Sequence, residues 1–391
     1  MPPDDDRTRK RLLSWFDAKK RDLPWRKTTD PYSVLVSEIM LQQTTVEAVR
    51  RPYEAFMKRF PAIRSLARAG EDEVLAAWSG LGYYRRARDL HAAVRRIAAE
   101  PGGWPRTAAQ LQTLPGIGPY TAAAVASIAF GEAIPVLDGN VIRVMSRVGE
   151  IGGEVHLVSI RRRLLALASE FVDPKRPGDS NQALMEIGST VCRPVDPACH
   201  ACPLALRCGA ARGGTQSRYP APRKRPDPVD ERLAVFVVRD RRGRYLLERS
   251  AAEGALKGLW GFPMRGPLGE TDDPPSGARR IGSARHGIMN RRLVLEIYET
   301  AAVPPLAGRR PARRYASASE IEALPRSSIA DKVLKQATRA AGVPGGPGDR
   351  PRVRDGKSRR GSAPAGPASA PRRGGRGSRR TGPPRESAER G

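Results

Sequence analysis

All four cysteines of the chain lie within seventeen residues: Cys192, Cys199, Cys202 and Cys208, spaced C-x6-C-x2-C-x5-C. Such a cluster dictates where one loop must fold, because the sulfurs have to converge on whatever they bind. Met1 to Lys10 is polar and carries three aspartates, so neither a secretory nor a transit segment is expected. The thiols are therefore read as metal ligands and not as disulfides. Four thiolates suit either tetrahedral zinc or an iron–sulfur cube, and spacing alone does not choose between them.

A second constraint is the run Leu114-Pro115-Gly116-Ile117-Gly118-Pro119-Tyr120-Thr121, followed by an alanine-rich stretch to Phe130. Two glycines two apart, then a proline, describe a tight turn feeding a helix, with both Gly116 and Gly118 expected to take positive φ. Free amides at the positive end of such a helix form a seat for a phosphate, which holds DNA without reading its sequence. An ordinary helix-hairpin turn would look the same. The formal net charge of +28 favours a polyanionic partner. Residues 343–391 carry 13 Lys+Arg against 4 Asp+Glu, which leaves +19 on the remainder, so the folded part is basic by itself. No apolar run approaches the roughly 18 residues of a membrane span.

From residue 7 to about 190 apolar residues recur at spacings of three and four, as in Arg7 to Arg21, Tyr32 to Thr44, Val46 to Arg59, Tyr84 to Ala99 and Asn140 to Val148. Short Pro/Gly joints separate them, and no strand is expected before residue 230. The fold class expected is multi-domain α and α+β. An all-α region over 1–211 contains the cysteine loop, 212–230 is a Pro- and Arg-rich connector, and 231–342 is a small α+β domain. In the latter, Arg232 to Arg239 and Arg244 to Glu248 read as a hairpin, Leu293 to Thr300 as a strand, and Ala316 to Ala323 and Ser328 to Ala341 as two closing helices. Residues 343–391 read as a disordered basic tail.

Taken in order, Leu23-Pro24-Trp25-Arg26, Val36-Ser37-Glu38-Ile39-Met40-Leu41-Gln42-Gln43-Thr44, Gly80-Leu81-Gly82-Tyr83-Tyr84, the glycine hairpin, Val136-Leu137-Asp138-Gly139-Asn140-Val141, Met185-Glu186-Ile187-Gly188 and the cysteines resemble the adenine DNA glycosylases of the MutY type, within the helix-hairpin-helix superfamily. The resemblance covers roughly residues 7 to 340. It implies a six-helix barrel domain beside one bearing a 4Fe-4S cluster on Cys192, Cys199, Cys202 and Cys208. It also implies a monomeric base-excision-repair hydrolase, acting in the cytoplasm of a bacterium on double-stranded DNA with adenine opposite 8-oxoguanine or guanine. Leu256 to Pro263 (LKGLWGFP) resembles a landmark of the Nudix-like domain that such enzymes use to recognise 8-oxoguanine, without the glutamate cluster of true Nudix hydrolases.

Cutting an N-glycosidic bond to adenine needs a proton for the departing base and negative charge for the oxocarbenium-like sugar. Glu38 has Val34, Leu35 and Leu41 as helical neighbours, so its carboxyl points into an apolar face where burial favours the protonated form. The family's acid falls on Glu38. Asp138, between an apolar run and a helix, suits an N-cap, and the family's matching carboxylate stabilises the sugar cation. Asn140 is a candidate supporting donor. Tyr120 stands where enzymes of the endonuclease III type carry a lysine, and a phenol forms no Schiff base, so base removal without efficient lyase action is expected. By resemblance Gln42 and Tyr83 fill the gap left by the flipped adenine. Where the family's recognition loop usually reads Phe-Ser-His or Phe-Thr-His, this chain has Ile288-Met289-Asn290, with Ile288 read as a wedge and Asn290 as a hydrogen-bonding group. An endonuclease III-type glycosylase for oxidised pyrimidines and a non-enzymatic cluster-bearing DNA-binding regulator are the alternatives; Tyr120 and the C-terminal domain argue against the first, Glu38 with Asp138 against the second.

Overall fold

The computed structural model describes residues 5–222, 226–250, 254–268, 277–288, 290–304 and 311–342. The tail expected at 343–391, residues 223–225 of the connector and Met289 of the loop therefore lie outside the described residues. Among the described residues eleven α-helices come first: α1 (Asp5–Lys19), α2 (Pro31–Leu41), α3 (Val46–Arg59), α4 (Ile63–Arg68), α5 (Glu71–Ala77), α6 (Arg85–Ala99), α7 (Ala108–Leu111), α8 (Pro119–Phe130), α9 (Gly139–Val148), α10 (Val158–Ser169) and α11 (Pro177–Thr190). A cysteine-bearing loop leads to the short α12 (Gly209–Gly213).

Two helices are apolar almost all round and occupy the middle. Every residue of α2 from Tyr32 to Met40 is buried. The helix starts where Asp30 accepts hydrogen bonds from the Ser33 amide (2.9 Å) and hydroxyl (2.7 Å), with Pro31 in the first turn. The alanines of α8 let it run between two cores. Ala122, Val125 and Ala126 face one core with α2 to α6, while Ala123 and Ala124 face another with α1, α9, α10 and α11. A wider side chain would push these layers apart; even Gly178 of α11 lies so close that an added Cβ would sit 2.7 Å from the Ile128 Cα.

Among the described residues seven strands follow: β1 (Val229–Val237), β2 (Tyr245–Arg249), β3 (Trp260–Gly261), β4 (Met264–Arg265), β5 (Arg279–Ile288), β6 (Arg291–Glu299) and β7 (Arg313–Ala316), then α13 (Ala318–Ala323) and α14 (Ser328–Ala340). They form two sheets, ordered β4-β1-β6-β5 and β3-β2-β7. The expected β1/β2 hairpin is corrected here. Only the tip pairs, through a bridge between Arg239 and Tyr245, after which β1 runs parallel to β6 and β2 joins β7 in the other sheet. Alternation within each strand cannot say which neighbour it takes, and β1, buried toward its C-terminal end, needs partners on both edges.

The sheet region is bolted to the helices. Leu259 is buried in the α2–α8 core, Arg249 pairs with Asp72 of α5 at 2.5 Å, Arg88 of α6 donates to the Lys257 carbonyl, and the Tyr84 hydroxyl donates to the Arg326 carbonyl.

Candidate active site

Four elements meet around Glu38. The carboxyl leaves the middle of α2 into the interior and is only 5 % exposed. Burial pushes its pKa up from 4.5 to about 7, against the opposing effect of a hydrogen bond from Tyr120. That bond, Tyr120 Oη to Glu38 Oε2 at 2.6 Å, occupies one carboxyl oxygen and leaves Oε1 to carry a proton. Burial and the two neighbouring carboxylates, Glu38 and Asp138, hold Tyr120 well above its usual range, so it stays a neutral phenol. Its hydroxyl also lies 3.3 Å from the Met185 sulfur of α11.

Asp138 caps α9, accepting the Val141 amide at 2.7 Å through Oδ1. Its other oxygen accepts the Asn140 side-chain amide at 2.9 Å. The cap reading of Asp138 is the one seen, and it fixes where the carboxylate stands. Burial raises its pKa, while these bonds and Arg143 pull the other way. Asn140 is in turn held by Arg143, which donates to Asn140 Oδ1 (2.9 Å), the Gly188 carbonyl (2.6 Å) and the Cys192 carbonyl (2.8 Å). Gly188 must be glycine for α11 to approach α9 here, since a Cβ would sit 2.5 Å from that of Asn140.

Residues adjacent in sequence on α8 hold Glu38 of α2 and Gln42, the residue that ends that helix. Tyr120 bonds Glu38, and the buried Thr121 hydroxyl accepts the Gln42 side-chain amide at 3.1 Å. In the turn before α8, Gly116 has φ +68°, and a Cβ there would collide with that of Asp89 at 2.3 Å. Gly118 corrects the expectation made for it. At φ −82° it is an extended N-cap that any residue can adopt, and its distinction is open space around the missing side chain, beside the unpaired amides of the first turn. Tyr83 is 47 % exposed and itself left-handed at φ +48°, following Gly82 at +68°.

Ile288 does not project as a wedge. It ends β5 with its side chain packed against the core under α14, because the strand's alternation turns it and His286 inward. Asn290, just before β6, is exposed, and its carbonyl accepts the Val229 amide at 2.8 Å. His286 Nδ1 lies 3.2 Å from Lys332 Nζ of α14.

The four cysteines line one cavity with Val144, Arg147 and Gln216. Arg147 donates to Cys192 Sγ at 3.3 Å and Gln216 to Cys199 Sγ at 3.6 Å. Burial pushes the Cys202 thiol up to about 11, so a thiolate there needs a cation beside it. Among the described residues no three Cys, His, Asp or Glu side chains converge closely enough to hold a single ion.

Two groups escaped sequence reasoning. Glu186, 1 % exposed, is gripped by Arg21 (2.7 and 2.9 Å) and Arg26 (2.7 Å), which override its burial and hold it down at about 2. Its motif was visible but its partners, 160 residues away, were not. Arg86 gave no signal beyond one more arginine on an arginine-rich helix.

Residues 36–169 match the model of the HhH-GPD superfamily base excision DNA repair proteins. The chain is 34 % identical to the adenine DNA glycosylase of Homo sapiens, over 83 % of this chain and 72 % of the relative. It is 35 % identical to that of Schizosaccharomyces pombe, over 66 % and 69 %, and 39 % identical to that of Arabidopsis thaliana, over 64 % of this chain but only 46 % of the plant protein. Among the described residues no helix is long and apolar enough to cross a membrane. A half-buried phenol hydrogen-bonded to a buried acid, near a helix-capping carboxylate, in a chain alike over most of its length to such relatives, places it in the adenine DNA glycosylase family.

Proposed function

We propose that the protein is the adenine DNA glycosylase of a base-excision-repair pathway, acting on adenine opposite 8-oxoguanine or guanine in duplex DNA. The observation that carries this is Glu38, a buried carboxyl whose pKa is pushed up to about 7 and whose Oε2 accepts from Tyr120, near the helix-capping carboxylate of Asp138. Glu38 gives its proton to the departing adenine as the C–N bond breaks. Asp138 faces the positive sugar, with Asn140 and Arg143 keeping its charge in place. Water then adds to the sugar carbon and its proton returns to Glu38, which resets the site. Tyr120 offers no amine, so the cycle ends at an abasic site with the strand intact. The turn at Gly116 and Gly118 seats a phosphate, while Gln42 and Tyr83 occupy the gap in the stack. The sheet region is the Nudix-like reader of the opposite base; Asn290 in its β5–β6 turn and the His286–Lys332 pair are the polar groups available to it.

Product analysis on a duplex with one adenine opposite 8-oxoguanine tests the reading. Free adenine should appear without strand scission until alkali or heat is applied. Cleavage without added base would contradict the assignment of Tyr120, and no adenine release from a folded preparation would contradict the whole.

Cys192, Cys199, Cys202 and Cys208 fit a 4Fe-4S cluster. They line one cavity, so that four sulfurs surround a shared space as the four iron corners of a cube require. Such a cluster would supply fixed positive charge to the thiolates and cross-link the segment between α11 and α12. Protein purified without air should contain about four iron and four inorganic sulfide per chain. An active preparation with one zinc and no iron would sink this assignment.

A further inference from the structure

We infer that Arg86 is the positioning residue that holds the two stack-filling side chains, Gln42 and Tyr83, in one geometry; this rests on the wedge role proposed for them. Arg86 is only 8 % exposed. No carboxylate is among its hydrogen-bond partners in the described residues. Its Nη1 instead donates to the carbonyls of Ile39 and Met40, both at 3.0 Å, and of Gln42. Its Nη2 donates to the carbonyls of Leu81 and Gly82, both at 3.2 Å. The guanidinium lies 5.4 Å from the ring of Tyr83 and 5.6 Å from that of Trp78.

Each of these contacts has a physical reason to be where it is. The last carbonyls of α2 have no amide to accept from and form the negative end of that helix, which a cation stabilises. The same helix carries Glu38 four residues before Gln42, so a group that caps its end also sets where the acid and the wedge stand relative to each other. On the other side, Gly82 and Tyr83 are both left-handed, and a non-glycine residue in that region persists only when its surroundings hold it. Arg86 supplies that hold from below, by the two carbonyls before Tyr83 and by its face against the ring. A planar fork can reach five carbonyls on two segments at once, which a lysine ammonium with three donors cannot.

The neighbouring residues point the same way. Tyr84 ties this turn to the Arg326 carbonyl and Arg88 ties it to the Lys257 carbonyl, so the first turn of α6 joins the catalytic helix, the exposed tyrosine and the sheet region. Arg86 is the member of that joint that touches both wedge segments.

The test uses the full-length protein and reads base extrusion directly. In a Glu38→Gln background, which stops chemistry, a duplex carries 2-aminopurine in place of the target adenine, opposite 8-oxoguanine, and its fluorescence rises as the base leaves the stack. Arg86→Lys and Arg86→Gln should each cut that rise or its rate at least about tenfold, since extrusion costs a few kcal/mol that the misplaced wedges no longer offset. Affinity for a fully paired duplex, carried by phosphate contacts, should change by no more than about twofold, with a cooperative melt retained. Lysine should do less harm than glutamine. Gln42→Ala and Tyr83→Ala, with Arg86 intact, separate this inference from the reading beneath it. If those two variants extrude the base normally, the wedge role fails. If they are impaired and Arg86→Lys is not, the positioning role of Arg86 fails. Loss of the cooperative melt in both Arg86 variants would make it a support of the whole fold and overturn the inference equally.

Discussion

Glu38→Gln should all but abolish release of adenine while leaving DNA binding intact. Glutamine keeps the shape and can still accept from Tyr120, but it has no acidic proton for the leaving base. General acid catalysis is worth about 10² to 10⁴ in rate, roughly 3 to 5 kcal/mol, and the whole loss should fall on single-turnover excision. The wild-type pH profile should carry the same signature. Glu38 holds its proton below about pH 7 and loses it above, so excision should decline on the alkaline side as the acid ionises. On the acidic side Asp138, also raised by burial, loses the charge that faces the sugar, which gives a bell. In Glu38→Gln the alkaline limb should vanish from whatever activity remains.

A stability consequence follows with opposite sign. The folded-state pKa of Glu38 lies above its unfolded value of 4.5, so its protonated form favours folding at low pH and that contribution is lost as pH rises through about 7. Above pH 7 the wild-type protein keeps an unfavourable charge in an apolar setting, and Glu38→Gln removes it. The inactive variant should therefore melt higher than wild type at pH 8, by up to about 3 kcal/mol, and equal stability at every pH would contradict the buried-acid account.

The catalytic half of the molecule was legible because its signals are local. Glu38 sits on a continuous apolar helix, which forces the carboxyl inward whatever packs against it. Asp138 stands one residue before a helix, where a cap is written into the sequence, and Gly116 stands in a turn that only glycine takes without strain. Legibility failed where the answer depended on a partner far along the chain. The alternation of β1 and β2 showed strands but not that they separate into two sheets. Strand β5, Arg279–Ile288, is rich in arginine and glycine and went unseen, because its pairing with β6 and its cover by α14 come from the fold and not from its own composition. Ile288 looked like a free wedge until that strand's register turned it to the core. Glu186 is held by Arg21 and Arg26, and Arg86 takes three of its carbonyl partners from the end of α2, 44 to 47 residues back, so nothing beside them in sequence announces what they hold.

Asp138→Asn should also lose excision, by a different route. The amide keeps the cap, since its oxygen can still accept the Val141 amide, so α9 and the fold should stand. What disappears is the negative charge next to the sugar as positive charge develops there. The second effect is geometric: Asn140 now meets an amide and Arg143, which holds Asn140, loses the charge it faces. A charge in a preorganised, poorly solvated site is worth more than in water, and loss of such a group typically costs about 10² to 10³ in rate. The two carboxylates can then be told apart by the leaving group. A base that departs readily without protonation makes the proton from Glu38 unnecessary, yet the sugar still becomes a cation. Such a substrate should therefore recover much of the activity of Glu38→Gln and little of that of Asp138→Asn. Equal recovery in both variants would mean that the two groups act on the same step as one unit. Near-normal excision of ordinary adenine by Asp138→Asn would leave Asp138 as a helix cap alone.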